Sequence, residues 1–413
     1  MIAYEKEVLK NKFEIYACPV NLGSEVISVD IFYRVGSRNE QMGKSGLAHM
    51  LEHLNFKSTK NLKAGEFDEI VKGFGGVDNA STGFDYTHYF IKCSRANLDK
   101  ALGLFAELMA NLSLKDDEFQ PERAVVLEER RWRTDNNPLG YLYFRLFNNA
   151  FLYHSYHWTP IGFFKDIENW SIEDLREFHS TFYQPKNAFL MVSGDIEPKE
   201  VFALGKKHFE GIKNSKKIPK IHSIEPKQDG AKRVEIHKNS DTELLGLAFK
   251  IPSFKHKDMP VLSALSELLG TGKSSLINEI LIDKLGLINE YYAFCNESID
   301  ENLFIFICVC NVGVKAERVE KELLKILERV KNGKISIKDL QKIKNRVKSD
   351  FIFSLNTASS VSSIYGDYIA KGDLGVLLEY ESKVEALEIS HLAKVAKKYF
   401  TPKNSTTIIL RKD

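Results

Sequence analysis

Two stretches of this chain read alike at a constant offset. Ile172-Glu173-Asp174-Leu175 leads to Phe182-Tyr183-Gln184-Pro185-Lys186-Asn187, and 217 residues later Ile389-Ser390-His391-Leu392 leads to Tyr399-Phe400-Thr401-Pro402-Lys403-Asn404. Each copy is a helix closed by an aromatic pair, a proline turn, and an apolar strand, over 188–192 and 406–410. A shorter echo links Ser113-Leu114-Lys115-Asp116 with Ser336-Ile337-Lys338-Asp339. A period this long means duplicated domains and excludes a solenoid of small repeats. The boundaries expected are a domain over 1–213, a polar, Lys-rich linker over 214–230, and a second domain over 231–413.

Periodicity supplies the elements inside each copy. Strand character runs over 26–35, 85–92, 243–250 and 303–309, and helical character over 46–57, 98–112, 117–133, 261–269 and 316–330. Strands interleaved with helical hairpins predict an α+β class, with helices packed on one face of a sheet. The 413 residues allow two or three domains, and 43% hydrophobic with 28% charged residues suits a globular chain with a substantial core.

A net charge of +2 makes no electrostatic case for nucleic acid or an anionic membrane. No apolar run approaches the roughly 20 residues that cross a bilayer. The five cysteines (Cys18, Cys93, Cys295, Cys308, Cys310) are odd in number and show no C-x-x-C pair. They predict reduced thiols and a reducing compartment. Met1-Ile2-Ala3-Tyr4-Glu5-Lys6 is charged early and has no apolar core, so no signal peptide is expected and the default location is cytoplasmic.

The chemistry concentrates in His49-Met50-Leu51-Glu52-His53, an H-x-x-E-H sequence. Residues four apart share a helix face, so both imidazoles can reach one ion. Glu52 borders that face, where a general base for an attacking water would sit. A catalytic zinc needs a third protein ligand and an open position. The segment Pro121 to Glu129 offers carboxylates on another helix, with Glu122 and Glu129 seven apart and returning to one face. Residue physics alone leaves Glu122, Glu128 and Glu129 open as the ligand, with Glu122 also suited to hydrogen-bond a ligating residue.

Other signals reduce to packing or surface. His154 and His157 sit near Pro160 and Gly162 and read as loop contacts. The remaining histidines, His179 among them, read as surface or packing residues. Gly272-Lys273-Ser274 is no phosphate loop, because Glu267 stands where that loop needs its first glycine. Cys308 and Cys310 alternate in an apolar strand and read as core.

With these residues in view, the chain resembles the pitrilysin-type M16 metallopeptidases, the family of insulin-degrading enzyme and mitochondrial processing peptidase. Glu129 follows His53 by 76 residues and Glu122 precedes Glu129 by seven, as in the family's ligating and accessory glutamates. Gly75-Gly76-Val77-Asp78-Asn79-Ala80 with Thr87-His88-Tyr89 is similar to its G-G-x-x-N-A…T-x-Y strand pair. Tyr183-Gln184-Pro185-Lys186-Asn187 through Gly194-Asp195 is similar to its Y-x-P-x-N…G-D ending. The resemblance runs essentially end to end and implies two homologous α/β-sandwich domains of about 200 residues each. It implies Zn2+ on His49, His53 and Glu129, Glu52 as general base, and Glu122 as accessory. Asn79 and Ala80 would lie on an edge strand that takes a peptide substrate by β-augmentation.

One departure stands out. The second domain of this family usually carries an Arg and a Tyr that hold substrate near the zinc, and here those positions fall on Ile282 and Asn289. Lys284, Tyr291 and Tyr292 are the nearby candidates to substitute. The resemblance implies a homodimer, or a heterodimer in which another M16-like subunit supplies the missing pair. Family members that act as non-catalytic assembly subunits mark a further alternative.

Overall fold

The computed structural model of this chain describes residues 2–412, which form two compact units. The first carries six strands: β1 (Glu5–Val8), β2 (Glu14–Pro19), β3 (Val26–Tyr33), β4 (Val77–Thr82), β5 (Thr87–Ser94) and β6 (Ala188–Gly194). Their order across the sheet is β1-β2-β6-β3-β5-β4. β2 and β6 run parallel, and the other neighbours are antiparallel. Helices α1 (Leu47–Asn55) and α2 (Glu66–Gly73) lie between β3 and β4, α3 (Leu98–Asn111) and α4 (Asp116–Arg130) follow β5, and α5 (Pro138–Ala150) comes after α4 and before β6.

The second unit carries β7 (Lys232–Lys238), β8 (Leu244–Ile251), β9 (Ile288–Cys295), β10 (Asn302–Cys310) and β11 (Ser405–Lys412) in the order β7-β11-β8-β10-β9. This is the order β2-β6-β3-β5-β4 of the first sheet, again with one parallel pair, β7 with β11. The duplication legible in the sequence is therefore a duplicated topology. β1 has no counterpart in the second sheet. Its Glu-Lys-Glu-Val is almost wholly exposed, so hydrophobic patterning gives no sign of it.

The α+β class is observed, with mixed sheets and helices in both units. Each unit draws on both copies. Segment 129–157 belongs to the second unit, and 352–374 to the first. Helix Ala358–Lys371 lies on β3 and β6 of the first sheet, while α5 lies on β8 and β11 of the second. Both sheets meet their helix through a glycine. A Cβ on Gly366 would come within 2.1 Å of the Phe32 ring, and one on Gly246 within 3.4 Å of Leu142 in α5. Ser193 Oγ adds hydrogen bonds of 2.6 Å to the Ala358 carbonyl and the Ser362 hydroxyl.

With helices on both faces, β3 and β6 are buried almost throughout, which explains their near-continuous apolar sequences. The opposite face of the first sheet holds the main core, where Val29, Ile31, Tyr89 and Ile91 meet Met50, Leu51, Leu102 and Phe105. Among the described residues no helix is long and apolar enough to cross a membrane.

One buried histidine gives a pH prediction. His179, in helix Ile172–Phe182, stacks on Tyr183 at 5.3 Å, and its Nε2 is sealed from solvent without a hydrogen-bond partner. Burial pushes its imidazole down to about 4, against about 6.5 in an unfolded chain. The unfolded state thus takes up a proton that the native state refuses. Stability is full above pH ~6.5 and falls as pH drops toward 4, by roughly 2 kcal/mol. Urea unfolding of metal-free protein at pH 7 and 4.5 should show that loss, and His179→Phe should reduce it.

Candidate metal centre

α1 places the H-x-x-E-H residues. Leu47, Ala48, Met50, Leu51 and Leu54 bury one face of the helix in the first core, which turns His49, Glu52 and His53 the other way. The helix begins at Gly46, whose φ is +91°. A Cβ there would meet the Trp170 ring at 2.6 Å and the Ile161 carbonyl at 2.8 Å, so only glycine fits this start.

The two imidazoles stand 4.8 Å apart between ring centroids. α4 supplies the carboxylate. One ligand atom from each of His49, His53 and Glu129 lies within 4.8 Å of the other two. Of the three glutamates left open by residue physics, Glu129 is the one that joins the histidines. Glu128 is exposed, and Glu122 lies one face-return earlier. α4 is continuous through Pro121 to Arg130 and then widens into a π turn over Arg131–Asp135, where the sequence predicts helix to 133. Arg133, in that turn, reaches back to Glu129 Oε1 with its Nε at 3.0 Å.

Glu122 accepts a hydrogen bond from His53 Nδ1 at 2.8 Å and one from Lys57 Nζ at 2.7 Å. Burial pushes this carboxyl up, but the His53 and Lys57 hydrogen bonds and the lysine's charge outweigh it and hold it below the usual carboxylate range. An ionised Glu122 can only accept, so Nδ1 carries the proton and Nε2 of His53 keeps its lone pair for a metal. Glu52 Oε2 accepts from Thr82 Oγ1, which ties the helix to the end of β4.

The donor set fits zinc. Two imidazoles and one carboxylate are a catalytic zinc set, whose donors stand about 3.4 Å apart at bond lengths of ~2.1 Å. Removing the orienting group should show in the metal: Glu122→Gln is expected to weaken zinc binding by about 10- to 100-fold, read by competition with a chromophoric chelator.

β4 is an edge strand, paired on one side only, with β5. Asn79 lies on its exposed face and Ala80 packs toward the core. Asn79 Oδ1 accepts from the Ala80 N–H at 2.8 Å. In the second unit Ile282 lies in a π-helical segment against the core, and Asn289 is exposed on β9. Each candidate substitute is engaged locally. Lys284 pairs with Glu279 at 2.7 Å, Tyr291 hydrogen-bonds Ser275 Oγ at 2.8 Å, and Tyr292 donates to Glu290 at 2.5 Å. His154 and His157 make the expected loop contacts, to Asp300 at 3.0 Å and the Phe151 carbonyl at 2.7 Å.

Sequence reasoning missed Glu40, which binds the start of α1. It accepts from the N–H groups of Gly46 and Ala48 and from Trp158 Nε1, each at 2.8 Å. An acid in a Gly- and Ser-flanked loop carries no sequence signal of burial, and Trp158 lies 118 residues away.

The family model described as Insulinase (Peptidase family M16) matches residues 20–151, and the one described as Peptidase M16 inactive domain matches 169–347. The chain is 53% identical to the zinc protease PqqE of Helicobacter pylori over 411 residues, 99% of this chain and 93% of that protein. It is 24% identical to the probable mitochondrial-processing peptidase subunit beta of Arabidopsis thaliana, over 93% of this chain and 74% of that one. The crystal structure of a protease from Helicobacter pylori superposes with a TM-score of 0.98 at 53% identity, covering both chains completely. With both family models and a full-length relative in agreement, the chain belongs to the M16 peptidase family.

Proposed function

We propose that this chain is a zinc endopeptidase that hydrolyses short or unfolded peptides in a chamber closed by a second subunit. The carrying observation is the convergence of His49, His53 and Glu129 beside Glu52. The zinc protease name of the Helicobacter pylori relative supports the same metal and chemistry.

His49, His53 and Glu129 would hold the zinc, which when bound would supply Lewis acidity to water and to the scissile carbonyl. Glu52 takes the proton of the attacking water and returns it to the leaving amine. Thr82 holds one oxygen of Glu52 and so fixes the direction in which the other can act. Glu122 keeps His53 in the tautomer that can ligate. A peptide added along the free edge of β4 is held by main-chain hydrogen bonds, which read extended backbone and not sequence. Asn79 then has to release the Ala80 N–H for a substrate carbonyl.

Ile282 and Asn289 favour a second reading, in which the chain is the zinc-bearing subunit and a partner contributes the side chains that hold substrate. A relative named as a processing-peptidase subunit supports such a division of labour. A non-catalytic assembly role is the alternative if no partner restores activity.

The test is zinc content and cleavage of a quenched, unfolded peptide by the purified chain. Zinc with cleavage supports a self-sufficient peptidase acting as a homodimer. Zinc without cleavage directs the search to a partner subunit, recovered by pull-down and added back. Purified protein that binds no zinc defeats the proposal.

A further inference from the structure

We propose that Glu40 is a positioning residue for the metal helix, clamping the first turn of α1 so that His49 is held ready for the ion. The inference rests on the reading of His49, His53 and Glu129 as zinc ligands.

The first turn of a helix leaves backbone N–H groups without intrahelical partners, and a side chain at the N-cap usually accepts from them. Here the N-cap is Gly46, which has no side chain, and no other residue fits there without striking Trp170 and the Ile161 carbonyl. The acceptor must come from elsewhere in the chain.

Glu40 provides it from six residues upstream. The residue is only 6% exposed. Oε2 accepts from Gly46 N–H and Trp158 Nε1–H, and Oε1 from Ala48 N–H, all at 2.8 Å. An acid at this end of a helix also meets the positive end of the helix dipole. Asp166 holds the residue just before Gly46, accepting from Ser45 N–H at 3.0 Å and Ser45 Oγ at 2.6 Å. Trp170 Nε1 donates to the Ser45 carbonyl at 3.1 Å. Residues 45, 46 and 48 are thus fixed by the buried Glu40 and Trp170 and the half-buried Asp166, and His49 is the next residue along.

A free helix end would fray, and His49 lies in its first turn. Fraying there would cost metal affinity directly, because the ligand would have to be re-ordered on every binding event. Gln at position 40 fits the space but turns an N–H₂ toward groups that are all donors.

The experiment compares wild type, Glu40→Gln, Trp158→Phe and Val201→Ala. Val201 is a core residue on helix Pro198–Phe209, which packs on α3 and β2. Zinc affinity is read by chelator competition, and hydrogen exchange of the Ala48 and Met50 amides is read on metal-free protein. Glu40→Gln should weaken zinc by about 10- to 100-fold, as loss of an orienting group does, and should speed exchange at the start of α1. Trp158→Phe removes one donor and keeps an aromatic ring in place, so it should weaken zinc by roughly 3- to 10-fold. It carries the test alone if Glu40→Gln does not fold. Val201→Ala should lower the melting temperature and leave zinc affinity within about twofold. Unchanged zinc affinity in both clamp variants overturns the inference. So does a Val201→Ala loss as large as theirs, because general stability would then explain it. Wild-type protein without zinc overturns the metal reading itself.

Discussion

Glu52→Gln is expected to keep its zinc and lose its peptidase activity, with kcat lower by about 10²- to 10⁴-fold. The amide has the volume of the carboxylate and can still accept from Thr82 Oγ1 through its carbonyl oxygen. It cannot take a proton from water. The donors that hold the metal are on His49, His53 and Glu129, so zinc content should stay at the wild-type ratio. Paired measurements of stoichiometry and turnover separate the two roles. A variant that turned over within tenfold of wild type would remove Glu52 from the proton path.

Loss of a ligand should produce the opposite pattern. His53→Ala deletes one imidazole and also leaves Glu122 with Lys57 alone. Structural zinc sites with four ligands bind with roughly 10–16 kcal/mol, so one ligand of the set is worth about 3 kcal/mol, or on the order of 100-fold in affinity. Glu129→Gln should cost less than His53→Ala, because an amide oxygen still ligates weakly and can still accept from Arg133, which is largely solvated. Both variants should regain part of their turnover with added zinc, which Glu52→Gln cannot do. Rescue of Glu52→Gln by zinc, or its failure for Glu129→Gln at saturating metal, would contradict this assignment.

Much of this site was legible because helix geometry converts spacing into direction. The step from His49 to His53 is one turn, and that from Glu122 to Glu129 is two. Spacing alone could not decide between Glu122 and Glu129, since both occupy one face. The decision lies in how far along α4 the crossing with α1 falls, and that is a tertiary fact. The strand order was accessible only in part. The repeated helix–turn–strand endings announce a duplication, but the polar β1 and the left-handed Gly46 carry no periodic signal. Glu40 was invisible for a related reason. Its partners Gly46 and Ala48 are local, but the burial that makes it a clamp comes from Trp158.

The helices Pro138–Ala150 and Ala358–Lys371 occupy equivalent places before the last strand of their own copies, and each covers the other copy's sheet. That is the geometry of a domain-swapped dimer whose two protomers have become one polypeptide. A fragment ending near residue 213 would lack the cover over Phe32 and Ser193 and would carry an unclaimed amphipathic arm. Cut at the linker, the two fragments should be insoluble apart and recover together, as complementing halves of a single cooperative fold.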